Sequence, residues 1–395
     1  MSAIPADRAG ADIVIAGAGV IGAAIAFHLS RLGAGDVLVL DRDVAGAGMS
    51  SRSSALVRMH YTFPPEVELA VRSERMLAAW PELTGRPPVL RRTGFARIVR
   101  PGEEDALAAN VAMQRCRGAL AEVIDAAALA RLAPGLRTDD LTQVAWEPGG
   151  GYGDGAVVAG DLLAAARERG VRYRPRTPVT GLHRADGRVT GVLTPGGTIP
   201  AGLVVLAAGV WSPPLLAAAG AALPIETELH HVAVLSHPPG QGAPVACIDS
   251  TTQTYFRPEA GGRKTLVGSF TGPRGVDPDT ALATRDAPAE LAGLVGAAAH
   301  RVPALADAGI AGTVTGAYDM TPDARPMLGE VPGLPGLILA AGFSGMGFKI
   351  SPAVGEAVAG LITAGAAQHV DIGPFRPGRF AEGQPVAAPF PYSDD

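Results

Sequence analysis

The sequence predicts an α/β fold: a doubly wound, Rossmann-like domain with a second, mainly antiparallel-sheet (α+β) part inserted into it. Three observations carry this. Residues 12–41 read as strand, helix and strand, with Gly17-Ala-Gly19-Val-Ile-Gly22 at the first junction. Residues 221–317 alternate strand-like runs with Pro and Gly turns. Nucleotide-site signals fall in three separate segments, so the second part interrupts the first and is not appended to it.

The elements follow in order. Residues 12–16 form a short apolar strand, 22–32 a helix and 36–41 a second strand. A Gly- and Ser-rich loop covers 46–54, and apolar residues at helical spacing predict a helix from about 65 to 80. Residues 88–146 mix strand-like runs such as 94–99 with Ala- and Leu-rich helices. Residues 161–169 read as a helix and 171–173 as a strand. Three strands follow within 177–206, parted by the turn pairs Asp186-Gly187 and Gly196-Gly197. One helix is expected near 287–299, a strand at 336–340 and a last helix from about 351 to 364. Residues 1–87, 147–220 and 318–385 would form the nucleotide-binding domain, and 88–146 with 221–317 the substrate domain.

Composition narrows the function. With 47% hydrophobic residues in 395, a large core is available, while 18% charged residues and a net charge of -5 give no basic run. Binding to nucleic acid or an anionic membrane is not expected. The apolar run 13–29 contains Gly17, Gly19 and Gly22, which suits a buried strand and helix better than a membrane span. Asp7 and Arg8 leave no apolar core for a signal peptide. Cys116 and Cys247 stand far apart without a CxxC pattern, which argues against a disulfide framework or zinc site and fits a reducing cytoplasm. Lysine occurs only at Lys264 and Lys349, so these are candidates for positions where an ammonium itself is needed.

The glycine motif has a mechanism. Gly17 permits the tight turn, Gly19 lets backbone approach a pyrophosphate, and Gly22 lets helix pack closely on strand. The helix N-terminus, which Val20 and Ile21 lead into, favours the phosphate charge. Asp41 lies 19 residues past Gly22, at the end of the next strand, where its carboxylate can take ribose hydroxyls, with Arg42 beside it.

Four stretches now resemble the D-amino-acid oxidase superfamily of FAD-dependent oxidoreductases, which includes sarcosine and glycine oxidases. They are Gly17–Gly22 with Asp41; Gly48-Met-Ser-Ser-Arg52-Ser-Ser with Arg58 and Tyr61; Val204-Val-Leu-Ala-Ala-Gly-Val-Trp-Ser212; and Thr321-Pro-Asp-Ala-Arg-Pro-Met-Leu-Gly329 followed by Gly342-Phe-Ser-Gly-Met-Gly-Phe-Lys349. The resemblance implies a resident FAD and oxidation of the C–N bond of a secondary or primary amine, an amino acid first of all, by hydride transfer to the flavin. Electrons would pass to O2, giving hydrogen peroxide, or to another acceptor. A D-amino-acid or 2-hydroxy-acid dehydrogenase, or a flavin-carrying subunit inactive alone, are the rival readings.

By the same resemblance, Ser50, Ser51, Arg52, Ser54, Ala55 and Leu56 wrap the pyrophosphate and ribityl chain, and Val179 touches adenine. Ala208, Gly209 and Trp211 run beside the flavin, and Gly345, Met346, Gly347, Phe348 and Lys349 lie at its pyrimidine end. Gly316 stands where monomeric sarcosine oxidases attach flavin through cysteine, and Arg52 where other relatives use histidine, so non-covalent FAD is expected. Arg58 and Lys349 match the cations that hold a substrate carboxylate, and Tyr255 a pocket tyrosine; His60, two residues past Arg58, is a candidate proton acceptor because imidazole titrates near neutral pH. His230-His231 reads as structural, because neighbours on a strand face opposite ways. The lysine that assists O2 reduction in sarcosine-type oxidases matches a position near Leu266, and a two-residue shift of strand register would bring Lys264 to the flavin instead. A monomer or homodimer without metal is expected.

Overall fold

The run Ala11–Ala16 (β1) is buried along almost its whole length, as a strand must be when both faces of its sheet are covered. In the computed structural model, which describes residues 9–259, 261–283 and 288–393, it enters helix α1 (Val20–Leu32) and then β2 (Val37–Leu40). Asp7 and Arg8 of the sequence reading, and the first residue of the helix expected near 287–299, lie outside the described residues. The chain continues through α2 (Pro64–Ala78), α3 (Gly155–Arg167), β3 (Arg172–Arg174) and β4 (Gly197–Leu206). Next come β5 (Glu226–Ser236), β6 (Thr254–Pro258), β7 (Lys264–Ser269), β8 (Gly309–Met320), β9 (Met327–Glu330), β10 (Leu337–Ala341) and α4 (Gly347–Ala364).

Two eight-stranded sheets result. The first has a parallel core ordered β10-β4-β1-β2-β3. The hairpin strands Gly181–Ala185 and Arg188–Thr194 extend it from the first half of β4, and β9 pairs antiparallel with β10. Helices α3 and α4 flank α1 on one face, and α2 packs outside α4. The second sheet is ordered β8-β5-β7-β6, then Ala246–Asp249, Phe95–Ile98, Gln143–Glu147 and Glu122–Asp125. All its pairings are antiparallel except that of Ala246–Asp249 with Phe95–Ile98. Helix Pro288–Arg301 covers one face of it.

Two helices begin earlier than the sequence suggests. α3 starts at Gly155 because the Asp154 side chain accepts from the amides of Ala156 and Val157, an N-cap hidden in a glycine-rich stretch. α4 starts at Gly347 although Pro352 reads as a breaker. The Phe348 carbonyl, which the proline cannot satisfy, accepts the Ser351 hydroxyl at 2.8 Å. No helix among the described residues is long and apolar enough to cross a membrane, and the run 13–29 is β1 with the buried face of α1.

Candidate active site

The glycine motif forms because the backbone leaves no room for side chains. Gly17 has φ +112°, and a Cβ on Gly22 would lie 1.9 Å from the Gly17 carbonyl oxygen. The turn therefore delivers the first amides of α1 into a cleft of about 470 Å³. Ser50 Oγ accepts the Val20 amide at 3.0 Å, which ties the Ser-rich loop to the helix start. Asp41 is fixed at the end of β2 by the amides of Ala18 (2.6 Å) and Asp43 (2.8 Å), with its carboxylate at the cleft.

Of the expected cofactor residues, the cleft is lined by Gly17, Gly19, Val20, Ile21, Asp41, Arg42, Ser50, Arg52, Val179, Ala208, Gly209, Trp211, Gly345, Gly347 and Phe348. Segments from both ends of the chain thus meet. Gly22 lies one turn behind, packed on Gly17. Ser51 and Ser54 face a second cavity, of about 330 Å³, while Ala55, Leu56 and Met346 are buried in the core. Trp211 lies beside Arg42, whose guanidinium stacks 4.3 Å over its ring, and both bind Asp279. It is therefore close to Asp41, which Arg42 follows in the chain.

At that far end, residues the sequence reading passed over complete the wall. Tyr318 and Asp319, the end of β8, line the cleft. The Tyr318 ring stacks on His230 with centroids 3.8 Å apart, and a Cβ on Gly345 would lie 2.7 Å from its other side. Its hydroxyl lies 3.4 Å from that of Tyr255, and burial holds the phenol well above its ordinary pKa, so it stays neutral. Asp319 accepts the Gly342 amide at 2.6 Å, which holds the glycine-rich turn before α4, and burial raises its carboxyl to about 6. The signal for both was present in Tyr318-Asp-Met-Thr-Pro-Asp323, but only the pairing of β8 with β5 aims them inward. His230 and His231 face opposite ways, His230 to Glu228 (3.0 Å) and His231 to Thr315 (3.1 Å). Among the described residues no group of acidic, His or Cys side chains could hold a metal.

The four catalytic candidates cluster behind this end. Lys349, in the first turn of α4, is 7% exposed, and its ammonium donates to the Gly345 carbonyl at 3.2 Å. Burial, then the nearby Arg58 guanidinium, lowers its pKa well below the usual value, while Glu66 opposes this. Glu66 already pairs with Arg325 at 2.9 Å. Arg58 donates to the His60 carbonyl and stacks 4.2 Å over Tyr61, yet its buried Nε has no partner among the described residues. The Tyr61 hydroxyl has none either. Behind Arg58, buried Glu147 accepts the Met59 amide at 2.7 Å through one oxygen and leaves the other unpaired, and burial raises its carboxyl to about 7. His60 is 2% exposed and burial drops its pKa well below 6.5; its Nε2 lies 2.8 Å from the Tyr392 hydroxyl. A proton acceptor poised near neutral pH is therefore not what its surroundings make of it.

The residues present fit a dinucleotide flavin. Helices α1 and α4, neither capped by a hydrogen bond from its own N-cap side chain, open their N-termini into one cleft, a setting for negative charge at both ends of a ligand. A cleft of about 470 Å³ is also of cofactor-site size.

Comparison with known proteins agrees. The chain is 30% identical over 363 residues to 4-methylaminobutanoate oxidase (formaldehyde-forming) of Paenarthrobacter nicotinovorans, covering 89% of this chain and 43% of that one. It therefore spans less than half the length of that relative. Against glycine oxidase of Geobacillus kaustophilus the identity is 29%, covering 89% of this chain and 92% of the relative. The structure of L-proline dehydrogenase from P. horikoshii superposes with a TM-score of 0.86 at 27% identity, over 95% of this chain and 99% of that one. A family model described as FAD dependent oxidoreductase matches residues 12–361, and this chain belongs to that family.

Proposed function

We propose that the chain oxidises the carbon beside the nitrogen of a small amine that carries a carboxylate, in the simplest case an amino acid, with FAD held non-covalently. The observation that supports this best is buried Lys349 close to a half-buried Arg58, whose buried Nε is unpartnered, with the unpartnered Tyr61 hydroxyl beside them. Buried polar groups are normally satisfied, and two like charges held close together are stabilised by an anion between them. The substrates named for the relatives, glycine, proline and 4-methylaminobutanoate, are all amines bearing a carboxylate.

When bound, FAD accepts the hydride and passes the electron pair to O2 or another acceptor. Gly17, Gly19, Val20 and Ile21 would hold its pyrophosphate, Asp41 its ribose, Val179 its adenine, and Gly345, Gly347 and Phe348 the pyrimidine end of its ring. Arg58 offers the substrate carboxylate a planar fork, and Lys349 a point charge. The paired Tyr255 and Tyr318 hydroxyls orient the amine, since both can donate or accept. His60 is too weak a base to deprotonate an ammonium, so the amine binds neutral or loses its proton to water. Absence of a covalent link is consistent with Gly316 in β8, with buried Cys247 and with exposed Cys116. The division into a flavin domain and an inserted substrate domain, and a cytoplasmic setting, belong to the same proposal.

One observation favours a dehydrogenase as second reading. Lys264 and Leu266, two apart on β7, both line the second cavity, and Lys264 is exposed; the resemblance implies an uncharged residue, near Leu266, where sarcosine-type oxidases carry their lysine. Reduction of the bound flavin by N-methyl, cyclic and D-amino acids without air tests the chemistry, and peroxide yield against dye reduction separates the acceptors. A protein that cannot be reconstituted with FAD would overturn the proposal.

A further inference from the structure

Residues 385–393 form a ribbon without helix or strand, rich in proline (Pro385, Pro389, Pro391) and exposed at most positions. It is tied at both ends. The Val386 amide donates to Asp323 at 2.9 Å on the first domain. At the other end Asn110 donates to the Phe390 carbonyl (2.8 Å), the Ser393 amide to Glu103 (2.8 Å), and Arg100 to the Ser393 hydroxyl (2.6 Å). Between these anchors one large side chain turns inward. Tyr392 is 5% exposed, stacks on His60 with centroids 5.8 Å apart, and lies under the Arg97 guanidinium at 5.0 Å. Arg97 also approaches the Phe270 ring at 6.0 Å, and Phe270 packs against the apolar cluster that includes Tyr255, so the wall runs on from Tyr392 toward that cluster. Arg58 donates to the carbonyl of His60, which places the wall next to the proposed carboxylate clamp.

We propose that this ribbon is a strap closing the substrate pocket, and that Tyr392 is a specificity-determining residue that limits the side chain accepted beside the carboxylate. The inference rests on the proposed function above. A strap of exposed backbone with few apolar contacts opens at lower free energy than the sheets beneath it, so it can admit substrate without unfolding a domain. Its prolines restrict the open ensemble and favour return to one path. With the ring seated, glycine, N-methyl and small cyclic amino acids fit, and aromatic ones do not.

The test uses the full-length flavoprotein, with acetate and benzoate as carboxylate probes and the flavin absorbance band as readout. Wild type is expected to bind acetate and to bind benzoate at least 10-fold less tightly. Tyr392→Ala should bring the two within about 3-fold, while Tyr392→Phe, which keeps the ring, should preserve the wild-type ratio. An unchanged ratio in Tyr392→Ala overturns the strap and leaves the carboxylate site standing. If wild type binds neither probe, the proposed function fails and the strap with it. Should Tyr392→Ala not fold, hydrogen exchange on wild type decides: acetate must slow exchange at the amides of residues 386–393 several-fold, and unchanged rates overturn the proposal.

Discussion

Lys349 is the most heavily constrained single residue. Its ammonium is buried beside Arg58, with Glu66 engaged by Arg325, so the folded protein disfavours the charged form. A lysine whose folded pKa is lowered takes stability away below its unfolded pKa, because there the unfolded chain binds a proton that the folded chain resists. Lys349→Met should therefore stabilise the ligand-free protein by about 1–4 kcal/mol, as other buried charges replaced by apolar groups do, read as a higher melting temperature. The same variant should lose the stabilisation that a carboxylate gives wild type; a variant still stabilised by acetate would exclude Lys349 from the clamp. Arg58→Lys keeps the charge but loses the fork, and should weaken carboxylate binding about 10- to 100-fold, the equivalent of one or two charged hydrogen bonds. Glu147 makes a pH prediction of known sign. Its folded pKa, about 7, lies above the ordinary carboxylate value, so stability is lost as pH rises from about 4.5 to 7. Glu147→Gln, which can still accept the Met59 amide, should flatten that part of a denaturant midpoint-against-pH curve.

At the scale of elements, the site depends on helices meeting at unusually short range. A Cβ on Gly355, in the middle of α4, would lie 2.5 Å from the Ala24 backbone of α1, so the two helices whose N-termini share the cleft touch backbone to backbone. Gly355→Val should separate them, destabilise the fold by about 1–3 kcal/mol and weaken FAD retention, read by thermal melts and flavin content. Much of this level was legible from sequence. The period of apolar residues and the glycine spacing located β1, α1 and β2, because local sterics and burial act within a few residues. The early starts of α3 and α4 were not, since an Asp154 cap and a Ser351 hydroxyl that tolerates Pro352 look, in one dimension, like turn signals. The contact of Trp211 with Asp279 was not legible either, because that partner comes from the other half of the chain.

Across the whole molecule, contacts between the two sheet systems decide how the cofactor cleft is closed. Asp279 receives Arg42 at 2.7 Å and the Trp211 indole at 3.0 Å, and Leu282 of the same short helix lines the cleft. The Arg42 and Asp279 side chains are 48% and 58% exposed, so the ion pair is worth no more than about 1 kcal/mol. Asp279→Ala should accordingly speed FAD release by no more than about five-fold without changing the fold, measured by dilution of the holoprotein; a larger loss would mean that the helix, and not the pair, carries the closure. The sequence by itself determined the nucleotide turn, the acid at Asp41, the flavin class and the identity of both lysines, because each depends on residues close together or on a motif with one physical use. Tertiary structure alone decided that Tyr318 lies against both His230 and Gly345, that half-buried Arg58 stands close to buried Lys349, and that Tyr392 reaches His60 across 332 positions. Charge and burial act through space, and the distance between two side chains in a folded chain is set by the packing of sheets and helices, which no local spacing records.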